Sequence, residues 1–266
     1  MILVIASICL KIDKLCCAEN WGNFINFNNN SDSDKLIDLS IFVVSSRWED
    51  YNIEGITFPE INLVNCFRFH SEVMFTNEKW DKIFLLSPIN KWDIQTLLIQ
   101  AFYTHAVQRH MIQIHSSLIE NNGRGLMFLG PSGIGKTTQA ELWNKYRDAL
   151  IINGDIVFVQ ETEECFLGWG TPWHGSSPYC ENTSVAVHAM IVLKQAPENS
   201  IRELTGFEKV TAVSNSVFYP RWLENGMELC LETLDHLLSA LPVYELSCRP
   251  DEDAVALTEK TVFGGC

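Results

Sequence analysis

The run Gly130-Pro131-Ser132-Gly133-Ile134-Gly135-Lys136-Thr137-Thr138 fits the pattern G-x-x-x-x-G-K-[S/T], and it limits what this chain can fold into more than any other stretch does. Its glycines let successive backbone N–H groups face one concavity with no side chain in the way. The helix that must follow aims the positive end of its dipole at the same point. A lysine at position 136 reaches β- and γ-phosphates, and a hydroxyl at 137 enters a Mg²⁺ shell. The motif needs a strand before it and a helix after it. Arg124–Leu129 (RGLMFL) reads as that strand, and Lys136–Tyr146, with Ala140, Leu142 and Trp143 apolar, as that helix.

The order of the neighbouring elements restricts the fold further. Met111–Glu120 reads as a strand, and Asn121-Asn122-Gly123 is a turn signal, so the strand before the loop belongs to a β-hairpin. Strands are expected again at Ala149–Gln160, Glu164–Gly168 and Ser184–Leu193, with no convincing helix from 160 to 184. A doubly wound α/β sheet would place a helix between most strands. The pattern points instead to a P-loop set in a mixed, largely antiparallel sheet. Helices are expected at Leu223–Ala240 and Asp251–Val262, around a strand at Val243–Cys248.

Upstream, Trp92–Gln108 has helical spacing, with Ile94, Leu97, Leu98, Ala101, Phe102, His105 and Ala106 on one stripe. A boundary near Pro88-Ile89-Asn90 divides the chain into a β-rich domain, 1–91, and a larger P-loop domain, 92–266. In the first domain, Ile2–Ile12, Leu39–Ser45, Glu60–Phe69 and Lys82–Leu86 read as strands. Residues 21–35 read as a loop rich in Asn, Ser and Asp, and Glu54-Gly55 and Asn77-Glu78 as turns.

Charge narrows the partners. The 33 acidic and 19 basic residues leave a net charge of −14. That balance argues against broad nucleic-acid binding, which wants a basic face. Nine scattered cysteines, with Cys16 and Cys17 adjacent and no C-x-x-C spacing, suit free thiols in a reducing cytoplasm. The apolar run Met1–Leu10 is too short to span a membrane and has no basic residue before it, so a buried strand is expected there rather than a signal peptide.

The nucleotide site also needs a carboxylate. Asp155 interrupts the apolar run Leu150–Val159 within Asn153-Gly154-Asp155, and an ionised aspartate there is costly unless paired or metal-bound. His105, His110 and His115 are five apart and share no helix face, which disfavours zinc. The loop Gly168–Tyr179, with Trp173-His174-Gly175, either covers the nucleotide, lines a peptide groove or is plain surface. Arg202, Arg221 and Arg249 are candidates for charge at a γ-phosphate or for surface ion pairs.

His115-Ser116-Ser117, Gly123-Arg124-Gly125, the P-loop itself, Ile152-Asn153-Gly154-Asp155 and Gly170-Thr171-Pro172-Trp173 together resemble the HPr kinase/phosphorylase-like proteins. The fold of that family is related to phosphoenolpyruvate carboxykinase. Val185–Glu203 and Pro242–Ala256 resemble the members found in peptide-natural-product pathways, including lasso-peptide tailoring kinases, which phosphorylate a serine of a precursor peptide. The resemblance covers about residues 95–262. It implies an α/β (α+β) fold with a P-loop on a mixed sheet, ATP and Mg²⁺ as cofactors, and metal contacts from Thr137 and Asp155. It also implies catalytic roles for Asp155, Lys136 and His115. In such kinases an aspartate pair binds Mg²⁺ and serves as general base. The first position of the pair matches Gly154 here, which leaves Asp155 as base, metal ligand or both. His115 matches a family histidine that either touches the transferring phosphoryl group or is structural.

The expected activity is therefore transfer of the γ-phosphoryl group of ATP to a Ser or Thr hydroxyl of a peptide or protein, with a ribosomal, lasso-type precursor as the acceptor. The expected partners are that peptide and a possible second copy of the chain, with no nucleic acid and no membrane. Two alternatives stand beside it: a nucleotide-dependent binding module without turnover, and a carboxykinase-like phosphotransferase.

Overall fold

The computed structural model describes residues 1–12, 19–25, 37–44, 62–70, 72–86 and 91–264. Contacts divide the chain into two compact units, Met1–Ala106 and Val107–Cys266.

The first unit holds a six-stranded sheet. Its strands are β1 (Ile2–Ile5), β2 (Ile8–Ile12), β3 (Leu39–Val44), β4 (Leu63–Phe69), β5 (Glu72–Asn77) and β6 (Lys82–Leu86), in the spatial order β1-β2-β3-β6-β5-β4. The expected single strand Ile2–Ile12 is instead a hairpin, β1 pairing antiparallel with β2 and Ile5 opposite Ile8. The two turn residues, Ala6 and Ser7, have φ of 46° and 64°. Positive φ at both positions is the type I′ hairpin turn, usually marked by Asn-Gly, Asp-Gly or Gly-Gly. Ala-Ser carries no such mark, and burial of Leu3, Ile5, Ile8 and Leu10 on one face holds the turn in place. Part of the stretch expected to be loop is a 3-10 turn, Glu19–Phe24, that buries Trp21 and Phe24. Residues 26–36, Glu54-Gly55 and the expected boundary at 88–90 lie outside the described residues. Helix α1 (Lys91–Val107) buries Leu97, Leu98, Ala101, Phe102 and Ala106, as the stripe requires, and groups by contacts with the first unit.

The second unit is a mixed, largely antiparallel sheet. Its strands are β7 (Met111–Asn121), β8 (Arg124–Leu129), β9 (Leu150–Asn153), β10 (Ile156–Glu161), β11 (Phe166–Trp169), β12 (Ser184–Gln195), β13 (Ser200–Leu204), β14 (Val217–Phe218) and β15 (Val243–Cys248). The main path runs β11-β10-β7-β8-β12-β15-β13, and β9 and β14 pair with β7. Among the described strands of this unit, the parallel pairings are β12 with β8 and β12 with β15. Strand β11 bonds β12 as well as β10, so the sheet closes on itself through β7, β8, β12, β11 and β10. The expected hairpin β7–β8 turns at Asn122 and Gly123, both with positive φ.

Four helices complete this unit: α2 (Lys136–Arg147), α3 (Gly206–Ser214), α4 (Gly226–Ala240) and α5 (Glu252–Val262). The expected start of α4 at Leu223 moves to Gly226, because the Gly226 N–H is taken by a turn to Leu223. The main core lies between the sheet and helices α2 and α5, with Ile119, Phe128, Ile191 and Leu246 against Trp143 and Val255. Full burial of each such side chain stabilises by roughly 1.5–3 kcal/mol. The buried residues of α2 are Lys136, Gln139, Ala140 and Trp143, spaced i, i+3, i+4, i+7. The stripe that anchors the helix therefore also turns Lys136 and Gln139 inward.

Candidate nucleotide-binding site

The P-loop leaves the end of β8 and enters α2. Gly130, Gly133 and Gly135 have φ of 138°, 78° and 115°, which side chains rarely tolerate. Gly135 is the N-cap of α2 and supplies no side-chain cap. The first N–H groups of the helix have no partner within the helix and suit an anion. Lys136 is 6% exposed, and its Nζ donates to the carbonyls of Gly130 (3.1 Å) and Pro131 (3.3 Å). Burial lowers its pKa from the usual lysine value, and the nearby Asp155 carboxylate opposes that shift.

A cavity of about 260 Å³ opens in front of this loop. Ser132, Gly133, Gly135, Lys136, Thr137 and Thr138 form one wall, His115 of β7 another, and Gly154 and Asp155 a third. His174, Ser176 and Ser177 complete the lining. Of the sequence-selected residues, Gly130, Pro131 and Ile134 do not line it. The first two serve through their carbonyls, and Ile134 packs towards the core. None of Arg202, Arg221 and Arg249 lines it. Arg202 pairs with Glu208 and Glu245, and Arg249 with Asp251.

Asp155 does not lie inside one long strand. The expected strand Ala149–Gln160 is two, β9 and β10, with Gly154 and Asp155 at the bend between them. Asn153 makes the bend. Its Oδ1 accepts from the backbone N–H of Asp155 (2.8 Å) and of Ile156 (3.0 Å), a local turn that replaces ladder bonds. Its Nδ2 donates to the Thr171 carbonyl at 2.9 Å. Asn153 is fully buried, so this one side chain holds the carboxylate strand and the following loop together. Sequence reasoning assigned it no role, although Asn-Gly-Asp breaking an apolar run is the signal of such a turn.

His115 and Asp155 meet across the β7–β10 pairing, with Nε2 of the histidine 3.0 Å from Oδ1 of the aspartate. Backbone bonds from His115 N–H to Ser216 and from Ser116 N–H to Asp155 fix both main chains. The Gly170–Trp173 segment explains itself structurally. Thr171 Oγ1 donates to the Ile156 carbonyl at 2.8 Å, and Trp173 is 1% exposed. This anchor directs His174–Ser177 over the bend, where His174 Nδ1 hydrogen-bonds the Ser177 carbonyl. Gly175, at φ 59°, passes so close that a Cβ there would stand 2.7 Å from Asp155 Oδ2. A Cβ on Gly154 would overlap the Ser177 side chain.

For a magnesium ion, the residues present are Thr137 and Asp155, both lining one cavity, with Thr137 Oγ1 donating to the Gly154 carbonyl at 3.4 Å. Among the described residues no three His, Cys, Asp or Glu side chains converge. Magnesium bound with a nucleotide takes one or two carboxylates, phosphates and water rather than a full protein cage, so this donor set fits it.

Comparison with known proteins places the chain. A family model described as "ScmC: SynChlorMet cassette protein ScmC" matches residues 86–248, and the chain belongs to that family. No curated protein matches it. Among solved structures, the Hpr(Ser) kinase/phosphatase from Coxiella burnetii is similar, with a TM-score of 0.35 and 11% identity, over 57% of this chain and 88% of that one. The six described cysteines are unbridged. No helix among the described residues is long and apolar enough to cross a membrane.

Proposed function

We propose that this member of the ScmC family is an ATP- and Mg²⁺-dependent kinase that phosphorylates a Ser or Thr hydroxyl of a peptide or protein. A ribosomal precursor peptide of the lasso type is the acceptor that the sequence resemblance favours. The observation that carries this reading is the 3.0 Å contact of His115 with Asp155 in one cavity that Lys136 and Thr137 also line.

In this reading the P-loop N–H groups and Lys136 hold the β- and γ-phosphates. Magnesium, held by Thr137 and Asp155, would neutralise developing charge on the phosphates. The acceptor hydroxyl gives its proton to Asp155, its oxygen bonds the γ-phosphorus, and the bond to the β–γ bridging oxygen breaks to release ADP. His115 donates to Asp155 Oδ1 and fixes the orientation of the carboxylate. Such a reaction relies on positioning and charge stabilisation rather than on a covalent intermediate. The site works in the cytoplasm, where the thiols stay reduced.

The test is mass spectrometry of the full-length protein with Mg·ATP and serine-containing peptides encoded beside its gene. A gain of one phosphoryl group on serine, absent with Lys136→Ala, is expected. A second reading, a nucleotide-dependent module that recruits a partner without turnover, draws on the Ser177–Gly154 contact, which leaves room for a single carboxylate. ATP binding with no phosphoryl gain on any such peptide would select it.

A further inference from the structure

A second cavity, of about 330 Å³, lies on the other side of the P-loop and shares Gly133, Gly135 and Thr138 with the first. Its volume falls at the low end of small-molecule sites, roughly 300–1,000 Å³. Its far walls are the end of β12, Leu193–Ala196, and the segment Cys248-Arg249-Pro250 that follows β15. Those two strands are parallel neighbours with Gln195 opposite Cys248, so the sheet brings both segments to one edge beside the loop.

Two features mark this cavity as built to hold something. The first is Gln139, which lines it while being 3% exposed. Its Nε2 contacts only a weak acceptor, Cys248 Sγ at 3.3 Å, and its Oε1 is buried without a hydrogen-bond partner. A buried amide left so poorly satisfied is costly, and a ligand carrying a complementary polar edge removes that cost. The second is the rigidity of the Arg249–Asp251 segment. Asn199 accepts from the Arg249 N–H and donates to Asp251, both at 2.8 Å, and Asp251 pairs with Arg249 Nε at 2.9 Å while capping α5 through the Ala254 N–H. The guanidinium is thus held as a planar group at the cavity rim, next to Pro250.

We propose that this second cavity is the nucleoside subsite: it takes the purine base of the nucleotide whose phosphates the P-loop holds. Leu193, Ile134 and Pro250 supply apolar walls for a flat ring, Gln139 reads a polar edge of it, and Arg249 lies against its face or its ribose. The Cys248-Arg249-Pro250-Asp251 segment thereby acquires a role in recognition. This inference rests on the proposed nucleotide reading of the P-loop.

The experiment compares calorimetric binding of Mg·ATP and Mg·tripolyphosphate to the full-length protein. ATP is expected to bind about ten-fold tighter or more, the equivalent of one weak anchoring contact or better. Arg249→Ala, at a half-exposed side chain that should not disturb folding, and Gln139→Met, which keeps the bulk, should bring ATP down towards tripolyphosphate. Neither should change tripolyphosphate affinity. Alkylation of Cys248 by N-ethylmaleimide, followed by peptide mapping, should be slowed by ATP and not by tripolyphosphate. If ATP binds no tighter than tripolyphosphate, or the two variants leave the difference intact, the subsite is refuted while the phosphate site stands. If neither ligand binds, both fall together.

Discussion

The Ser177 side chain occupies the space that a side chain at Gly154 would need. The loop beside the cavity thus excludes any larger residue from the position before Asp155, so this bend offers one carboxylate, Asp155. Gly154→Ala should destabilise the protein by about 1–3 kcal/mol through overpacking. Ser177→Gly should recover most of that loss in the double variant. Urea denaturation of the four proteins measures the coupling, and strict additivity would mean that the contact is not the cause.

Asn153 makes a second prediction. Asn153→Ala orphans the N–H groups of Asp155 and Ile156 and the bond to Thr171, at a cost of about 1–3 kcal/mol for each buried group left unsatisfied. Asn153→Asp keeps the acceptor and loses only the donor, so its loss of stability should be the smaller. Turnover should fall with the alanine variant even where the protein remains folded, because Asp155 loses its aim.

Lys136 and Asp155 should separate by assay. Lys136→Ala should weaken Mg·ATP binding in calorimetry together with turnover. Asp155→Asn should spare binding more, and lower turnover by about 100-fold or more, the scale of a lost general base. Normal turnover in Asp155→Asn would show that the reactive centre lies elsewhere.

His236 gives a prediction in pH. Its Nδ1 lies 2.9 Å from a carboxylate oxygen of Glu161, and that hydrogen bond and charge raise its pKa from the usual histidine value of 6.5. A raised folded pKa means that folding favours the protonated ring. The contribution to stability is complete below pH 6.5 and fades as pH rises through the folded value. An NMR titration should place the His236 midpoint above 6.5, and Glu161→Gln should return it towards that value.

The readable parts of this fold are local ones. The β7–β8 hairpin, the P-loop and the α2 helix follow from a turn dipeptide, a glycine spacing and an apolar stripe, all contained in about forty consecutive residues. The Ala6-Ser7 hairpin was not readable as such, since the apolar run on both sides looks like one continuous strand and burial imposes the break, whereas the bend at Asn153 carried a local signal, Asn-Gly-Asp within an apolar run, whose side-chain bonds only the structure shows. Helix α3 was missed because it is short and presents Phe207 and Val210 to solvent, where a helical stripe would hide them.

The candidate site divides along the same line. Lys136, Thr137 and Asp155 were marked in the amino-acid order, because a phosphate cradle is built from a few adjacent backbone groups and a carboxylate interrupting an apolar strand is conspicuous. His115 and the loop carrying His174 were marked as candidates, but not the contacts through which they meet these residues. His115 reaches Asp155 through the pairing of β7 with β10, His174–Ser177 returns over the bend through the grip of Asn153 on Thr171, and Gln139 meets Cys248 across 109 residues. Those encounters depend on strand order and register, which arise from burial summed over the whole sheet and leave no trace in any short stretch of chain.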